Sequence, residues 1–264
     1  CKFLLFYSGG NLGVDQGNLI LLAFALMLIV VIPVLIMSVA FPLWYSNKDA
    51  DYQPNWSHSS VIEFFAWGIP ILIIAVLGYT TYITSHSMDP RKSLVGKYEG
   101  AEQKEVVIQA VSMDWKWVFF YPDQDIATVN EIAIPVNTPI KFQITSDTVM
   151  NSFFIPELGS QIYAMGGMEN RLHLISKRIK TMRGISANYS GFGFSGMKFN
   201  VISTDKKGFE NWIKKVKSSN VKFDQAAYSR LKGKQTKDHR VEYFSDVVDS
   251  EQFENIIRKY LKTH

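Results

Sequence analysis

The segment 186–197, SANYSGFGFSGM, is glycine-rich and aromatic and lies between two predicted strands. Its length and its small residues are typical of a loop that wraps a ligand. Yet it contains no cysteine, histidine or carboxylate, which are the side chains from which proteins build transition-metal sites. The segment therefore has the form of a binding loop without the ligands of one.

Glu63 is the second candidate for chemistry, because it is the only acidic residue close to the start of a long apolar run. A carboxylate is costly at the centre of a bilayer and less so near the end of a span. From the residues alone, a helix-start glutamate is preferred, with Ser59 or Ser60 as the N-cap and the negative charge favoured by the helix dipole.

Three histidines could also do chemistry. His58 and His86 flank the second apolar run and could titrate near neutral pH, but nothing in the sequence assigns them a role. His173 lies on a predicted strand, where we expect a packed or surface histidine rather than a metal ligand.

Cys1 is the only cysteine in the 264 residues, so the chain can form neither an internal disulfide nor a thiolate metal cluster. A chain that begins with cysteine is typical of a bacterial lipoprotein cut just before the lipid-carrying residue; an arbitrary fragment boundary is the alternative.

The formal net charge of +4 is mild, and the basic clusters at 177–183 and 206–217 predict a solvated or lipid-facing surface, not a nucleic-acid site.

Glu63 directly precedes the second of two apolar runs, 19–44 and 64–85. Each run is long enough to cross a bilayer as a helix. A short polar loop joins them, which predicts an antiparallel transmembrane hairpin with both ends on one side. A lipidated Cys1 would place those ends outside the cell, whereas Arg91, Lys92 and Lys97 favour the cytoplasm. The positive-inside rule fails for long translocated domains, so we expect the outside.

From residue 105 onward, the spacing of apolar residues is first that of strands and then that of helices. Short segments rich in β-branched and aromatic residues predict a β-sandwich that ends near Thr204, with strands at 105–111, 115–121, 131–134, 140–145, 171–175 and 196–202. Trp115, Trp117, Phe119 and Tyr121 alternate and are predicted to share one sheet face. Beyond the sandwich, an apolar stripe around Trp212 and possible caps at Asp224 and Asp249 predict a charged helical arm.

Three stretches make this layout resemble subunit II of the haem–copper respiratory oxidases. They are WSHSSVIEFFAWGIPILII at 56–74, SMDWKWVFFYPD at 112–123 and VMNSFFIPELGSQIYAMGGMENRLHL at 149–174. The resemblance implies four segments in order. Residues 1–16 form an N-terminal lipoprotein tail, and residues 17–97 form the hairpin, with spans at about 18–45 and 63–85. Residues 98–204 form a cupredoxin-like periplasmic domain, and residues 205–264 form the C-terminal helical arm.

The resemblance also implies where a dinuclear copper centre would be held in the copper-binding members. Its first histidine falls on Asn151, and its C-x-E-x-C-G-x-x-H-x-x-M loop places the other ligands at Ser186, Asn188, Ser190, Phe194 and Met197. Such a centre needs bridging thiolates and imidazoles, because copper prefers soft sulfur and nitrogen ligands. Met197 alone is a weak ligand and is expected to fill the core. We therefore expect no metal on this chain.

A copper-free subunit II resembles the quinol-oxidising branch, the cytochrome bo-type ubiquinol oxidases. This implies a multi-pass lipoprotein subunit of the bacterial inner membrane with its C-terminal domain in the periplasm. Its partners would be subunit I, further small membrane subunits and membrane lipids, with ubiquinol acting through subunit I and no nucleic acid. Haems and a single copper would lie in subunit I, and no catalytic residue would lie in this chain. Glu63 would form the mouth of a proton path in subunit I, and the aromatic strand would pack in the core or against that subunit.

Two alternatives stay open at this point. One is a stand-alone, lipid-anchored cupredoxin-like copper carrier, which the missing ligands and the second span disfavour. The other is a cytochrome c oxidase subunit II, which would require copper in the soluble domain.

Overall fold

The computed structural model describes residues 9–45, 58–98, 101–102, 104–233, 240–249 and 251–261. Cys1 lies outside them. The chain divides into two units, one formed by residues 17–89 and the other by residues 9–16 together with the described residues from 90 onward.

The two long helices are formed by the apolar runs. In the described residues, the helices are α1 (Asn11–Tyr45), α2 (Ser60–Ser87), α3 (Lys206–Lys217), α4 (Gln225–Lys232) and α5 (Gln252–Leu261). By length and composition α1 and α2 could each cross a membrane, and none of their most apolar stretches is buried within the chain. Apolar side chains all round a helix with no protein to cover them are typical of a lipid-facing segment. Both helices continue through their internal prolines, Pro33, Pro42 and Pro70.

The second unit is built on a β-sandwich. Its strands are β1 (Val106–Met113), β2 (Lys116–Tyr121), β3 (Ile126–Val129), β4 (Glu131–Pro135), β5 (Ile140–Ser146), β6 (Asn151–Phe154), β7 (Gln161–Ala164), β8 (Asn170–Leu174), β9 (Lys180–Ser186), β10 (Lys198–Thr204), β11 (Lys222–Phe223), β12 (Glu242–Phe244) and β13 (Asp246–Val247). A six-stranded sheet has the order β12-β3-β2-β1-β5-β8, and a five-stranded sheet the order β4-β10-β9-β6-β7. The predicted fold class, two apolar helices followed by a sandwich and C-terminal helices, is confirmed.

An aromatic core lies between the two sheets. Trp117 and Phe119 of β2 project from the six-stranded sheet, and Phe153 of β6 and Phe199 of β10 from the other. The Trp117 and Phe153 rings are 5.2 Å apart in an edge-to-face arrangement, and Phe153 and Phe199 stack at 5.1 Å. Such aromatic pairs stabilise a core beyond their buried area.

The second face of the six-stranded sheet is buried as well, and this was not predicted. Val118 and Phe120 of β2 pack in one cluster with residues from the C-terminal segment: Phe223, Tyr228, Leu231, Phe244, Phe253 and Ile256. β12 also pairs with β3 at the sheet edge. The helices expected beyond Thr204 are present, with Asp224 capping α4 through the Ala227 N–H at 2.8 Å. They form a third layer on the sandwich, however, and the same segment supplies a strand to the sheet.

Candidate functional site

Asn151 and Ser186, two positions at which the resemblance places copper ligands, are brought together by adjacent strands. Asn151 begins β6 and Ser186 ends β9, and these two strands pair. The Ser186 hydroxyl donates to Asn151 Oδ1 at 2.7 Å, and Asn151 Nδ2 donates to the Ser112 hydroxyl of β1 at 2.7 Å. Asn151 is 1% exposed and Ser186 5% exposed. A buried chain of hydrogen bonds therefore joins three polar side chains across the two sheets.

The other residues at which the resemblance places copper ligands make contacts within or around the loop. Asn188 Nδ2 donates to the Met150 carbonyl at 3.2 Å, and the Phe194 ring meets the Tyr189 ring edge-on at 5.7 Å. Met197 is buried, as expected for core filler, and its carbonyl accepts the Ser186 N–H at 3.1 Å. The Ser190 hydroxyl is buried without a hydrogen-bond partner. The backbone bond between Ser186 and Met197 closes the loop at its base.

Trp115 covers this loop. Its indole Nε1 donates to the Ser190 carbonyl at 3.3 Å, and a Cβ at Gly193 would come within 2.2 Å of the indole ring. Gly193 is thus required by the close approach of the tryptophan. The prediction that Trp115 shares a sheet face with Trp117, Phe119 and Tyr121 is wrong: Trp115 has φ 58° and precedes β2, so it leaves the strand alternation. The other three side chains are buried as expected.

The site does not fit the dinuclear copper centre of the copper-binding members. Amide and hydroxyl groups that bond to one another cannot bridge two copper ions, and the loop supplies no thiolate or imidazole. Among the residues that the structure describes, no three His, Cys, Asp or Glu side chains are grouped to hold a metal ion. His173 of β8 is packed, with Nδ1 3.2 Å from the Pro90 carbonyl and Nε2 3.4 Å from Glu105 Oε1.

Glu63 lies in the first turn of α2, where its carboxylate meets a histidine. Glu63 Oε1 is 2.7 Å from His58 Nδ1, and His58 Nε2 is 3.2 Å from the Ser60 hydroxyl. Ser59 is the N-cap residue, but its side chain makes no capping bond. The Glu63 side chain is 57% exposed within the chain, so the carboxylate is accessible from outside the chain. A histidine and a carboxylate in contact can pass a proton between them.

The sequence argument named His58 without a role and missed its contact with Glu63. The signal was available, because a histidine just before a helix start and an acidic residue in the first turn lie five positions apart. His86, at the far end of α2, bonds through Nδ1 to the Tyr82 carbonyl at 2.9 Å and stays without an assigned role.

Comparison with known proteins places this site in a family. Residues 124–204 match the family model described as Cytochrome C oxidase subunit II, periplasmic domain. The chain is 50% identical over 262 residues to the cytochrome bo(3) ubiquinol oxidase subunit 2 of Pseudomonas aeruginosa, covering 98% of this chain and 77% of that one. It is 46% identical over 262 residues to the ubiquinol oxidase subunit 2 of Acetobacter aceti, covering 98% and 83%.

Among solved structures, the periplasmic domain of subunit II of the cytochrome oxidase of Bradyrhizobium japonicum is 23% identical, with a TM-score of 0.42, covering 43% of this chain and 94% of that one. The resemblance drawn from the sequence is confirmed by the curated relatives, whose identity extends over nearly the whole chain, helices and sandwich alike. This chain therefore belongs to the family of ubiquinol oxidase subunit 2.

Proposed function

We propose that this chain is the copper-free second subunit of a proton-pumping ubiquinol oxidase, a complex that oxidises ubiquinol and reduces oxygen to water. The observation that carries the proposal is the hydrogen-bonded Ser186–Asn151–Ser112 chain at the aligned ligand positions. With no electron carrier on this chain, electrons from a lipid-soluble quinol would go directly to subunit I. The haems and a single copper would lie there, and this chain would act as a scaffold.

The test is purification of the membrane complex through a tag on this chain. We expect haem absorption, turnover with ubiquinol and none with reduced cytochrome c, and one copper atom per complex. Two additional copper atoms that depend on this chain would contradict the proposal and favour a cytochrome c oxidase. Recovery of the chain without any haem-containing subunit would favour a stand-alone carrier.

We also propose that Glu63 feeds protons toward the oxygen-reducing site in subunit I. Its support is the position at the start of a membrane-spanning helix together with the 2.7 Å contact to His58. A carboxylate near the end of a span costs less than one at its centre, so the start of α2 can hold Glu63. In this arrangement His58 holds the carboxylate in place and can share its proton.

Substitution of Glu63 tests this role. Glu63→Ala should lower quinol-oxidase turnover by about tenfold or more, because a positioned proton-transfer group is lost, and Glu63→Asp should restore part of it. Val61→Ala, a change at another exposed residue of the same turn, is the matched control. An unchanged rate for Glu63→Ala with haem absorption intact would refute the role.

The topology belongs to the same proposal. A lipidated Cys1 would place the N-terminus in the periplasm, and two spans would return the chain to that side, so the sandwich would be periplasmic. A membrane-impermeant maleimide should then label a cysteine placed at exposed Phe192 in intact spheroplasts. Labelling only after lysis would place the sandwich in the cytoplasm.

A further inference from the structure

Two lysines converge on one buried aspartate in the second unit, outside the site described above. The Asp147 side chain, which follows β5, is fully buried. Lys259 of α5 places its Nζ 2.7 Å from Asp147 Oδ1, and Lys232 of α4 places its Nζ 3.8 Å from Asp147 Oδ2. One carboxylate therefore faces two amines, which come from two different helices.

The hydrogen bonds of this carboxylate go to other donors than Lys232. Oδ1 accepts from Lys259 Nζ at 2.7 Å, and Oδ2 accepts from the Tyr228 hydroxyl at 2.8 Å. Lys232 Nζ lies beyond hydrogen-bonding distance of the carboxylate and feels only its charge. A single negative charge cannot neutralise two ammonium groups, and two ammonium groups held close together repel each other. The protonated form of one of the two lysines is therefore disfavoured.

The other titratable groups around Lys232 do not remove this imbalance. Asp114, between β1 and β2, attracts a positive charge on Lys232. Lys116 is 2% exposed and donates through Nζ to a backbone carbonyl in the last turn of α4 at 2.8 Å, so it adds a third amine. Tyr228 and Tyr260 stay uncharged near neutral pH, because burial raises the pKa of both phenols. Among these groups, the amines outnumber the carboxylates.

The two lysines respond to the repulsion in opposite directions. Contact with the Lys259 amine and partial burial lower the pKa of Lys232, against the attraction of Asp147 and of the C-terminal end of α4. Burial also disfavours the charge on Lys259, but hydrogen bonds to Asp147 and to Lys232 raise its pKa overall. Lys259 is thus the ammonium of the pair, and Lys232 is the amine that loses its proton first.

Lys232 is also accessible to a reagent, since its side chain is 42% exposed. A neighbouring cation makes a lysine nucleophilic, because only the unprotonated amine has a lone pair that can attack a carbonyl carbon. Lys222 provides the contrast within the same unit. Its Nζ lies 3.1 Å from Asp246 Oδ2, and its side chain is 67% exposed. Lys222 is therefore more open to solvent than Lys232, but its charge is balanced by one carboxylate.

We propose that Lys232 is a covalent modification site that takes aldehydes. The unprotonated Nζ adds to the carbonyl carbon, and the carbinolamine then loses the carbonyl oxygen and both amine hydrogens as water, which leaves a Schiff base. No electron is transferred and no other reactant is needed. Because the Schiff-base nitrogen is a weaker base than the amine, the product removes one positive charge and leaves Asp147 to Lys259. The proposal rests on the folded second unit and does not depend on quinol oxidation.

Reductive trapping with propanal tests the proposal. The detergent-solubilised full chain, with the subunits that purify with it, is treated at pH 7 with limiting propanal and sodium cyanoborohydride, which reduces each Schiff base to a stable secondary amine. Peptide mass spectrometry then measures the propylation of Lys232 and Lys222 in the same sample. Lys232 should react at least about threefold faster, although Lys222 is more exposed, because a larger fraction of Lys232 is unprotonated.

A pH series on the wild-type chain decides the proposal without any variant. The propylation rate of Lys232 should reach half of its maximum at a lower pH than that of Lys222. A rate at pH 7 no higher than that of Lys222, or a midpoint no lower, would overturn the proposal.

Two variants of Lys259 test the cause. Lys259→Met removes the second amine and should lower the propylation rate of Lys232 to about that of Lys222. Lys259→Arg keeps a permanent positive charge beside Lys232 and should preserve the faster rate. An unchanged rate in Lys259→Met, or a rate in Lys259→Arg as low as that of Lys222, would contradict the role of the lysine pair. Thermal stability of each variant verifies that it is folded.

Discussion

At the scale of single residues, two positions at which the resemblance places copper ligands belong to a buried hydrogen-bond chain. Ser186, Asn151 and Ser112 come from three strands in two sheets, and each donor in the chain has an acceptor at 2.7 Å. Because this hydrogen-bond chain is buried, water cannot replace a partner that is lost. Removing one member would leave the others with unsatisfied polar atoms, which costs more than the bond itself contributes.

Asn151→Ala is therefore expected to lower the free energy of unfolding by about 1–3 kcal/mol. Asn188→Ala is the matched control, since its amide makes one bond at a partly exposed position and its loss should cost less than about 1 kcal/mol. Chemical denaturation of the full chain in detergent, followed by tryptophan fluorescence, measures both. Equal effects of the two variants would mean that the buried chain contributes little.

Ser186→Cys should not create a dinuclear copper centre. A bridged pair of copper ions needs both thiolates and the imidazoles, and a single cysteine supplies only one of them. Visible absorption after addition of Cu²⁺ should match that of the wild-type chain. The appearance of an intense purple colour in this variant would show that the loop retains a hidden ligand set.

At the scale of elements, one aspartate joins the C-terminal helices to the sandwich. The Asp147 side chain is fully buried after β5, accepts from the Tyr228 hydroxyl of α4 at 2.8 Å and pairs with Lys259 of α5 at 2.7 Å. The Tyr260 hydroxyl donates to its carbonyl. Burial and the Asp147 charge raise the pKa of Tyr228, so that phenol stays a donor through the neutral range. One carboxylate thus fixes two helices.

Asp147→Asn should loosen α4 and α5 while leaving the sheets intact. We expect a loss of about 2 kcal/mol, less than the 3–5 kcal/mol typical of a fully buried pair, because the Lys259 side chain is 44% exposed. Hydrogen exchange should be faster at the amides of α5 than at those of β2. Glu254→Gln, which removes an exposed pair with Arg258, is the control and should cost less than about 0.5 kcal/mol. Uniform acceleration in all elements would argue against a local clamp.

At the scale of the whole second unit, the chain beyond Thr204 is a layer of the fold and not an appendage. Trp212 of α3 donates through Nε1 to the buried carboxylate of Glu131 at 3.2 Å, which also accepts from the Tyr243 hydroxyl at 2.6 Å. Phe244 of β12 and Phe223 of β11 pack edge-on at 5.1 Å in the cluster on the outer sheet face. The sandwich would expose that face without this layer.

Deletion of residues 205–264 is accordingly expected to prevent stable folding of the sandwich. The exposed face of β1, β2 and β3 would be a contiguous apolar surface, and such surfaces promote aggregation. Recovery of the truncated chain from detergent-solubilised membranes by size-exclusion chromatography measures the effect. A monodisperse truncated chain with unchanged thermal stability would show that the segment is dispensable. Trp212→Ala, a milder change, should lower stability without abolishing folding.

Much of the fold was predictable because it depends on local patterns. The long apolar runs predicted α1 and α2, and β-branched alternation predicted β1, β2, β4, β5, β8 and β10. The strands that were missed are short or interrupted: β3, β6 and β7 have four residues each, β11, β12 and β13 have two or three, and β9 is interrupted by charged residues and Gly184. Their strand geometry comes from neighbours in the sheet, which a sequence window does not contain.

The sequence by itself determined which chemistry is possible: no thiolate or imidazole stands at the aligned loop positions, and residue type alone decides that. It also determined the two apolar helices, since period and length are local properties. Only the tertiary structure decided that Asn151 bonds to Ser186, that Trp115 covers the loop and that the last residues form a third layer. These partners are distant in sequence, and their contacts exist only once the sheets pair and the core excludes water.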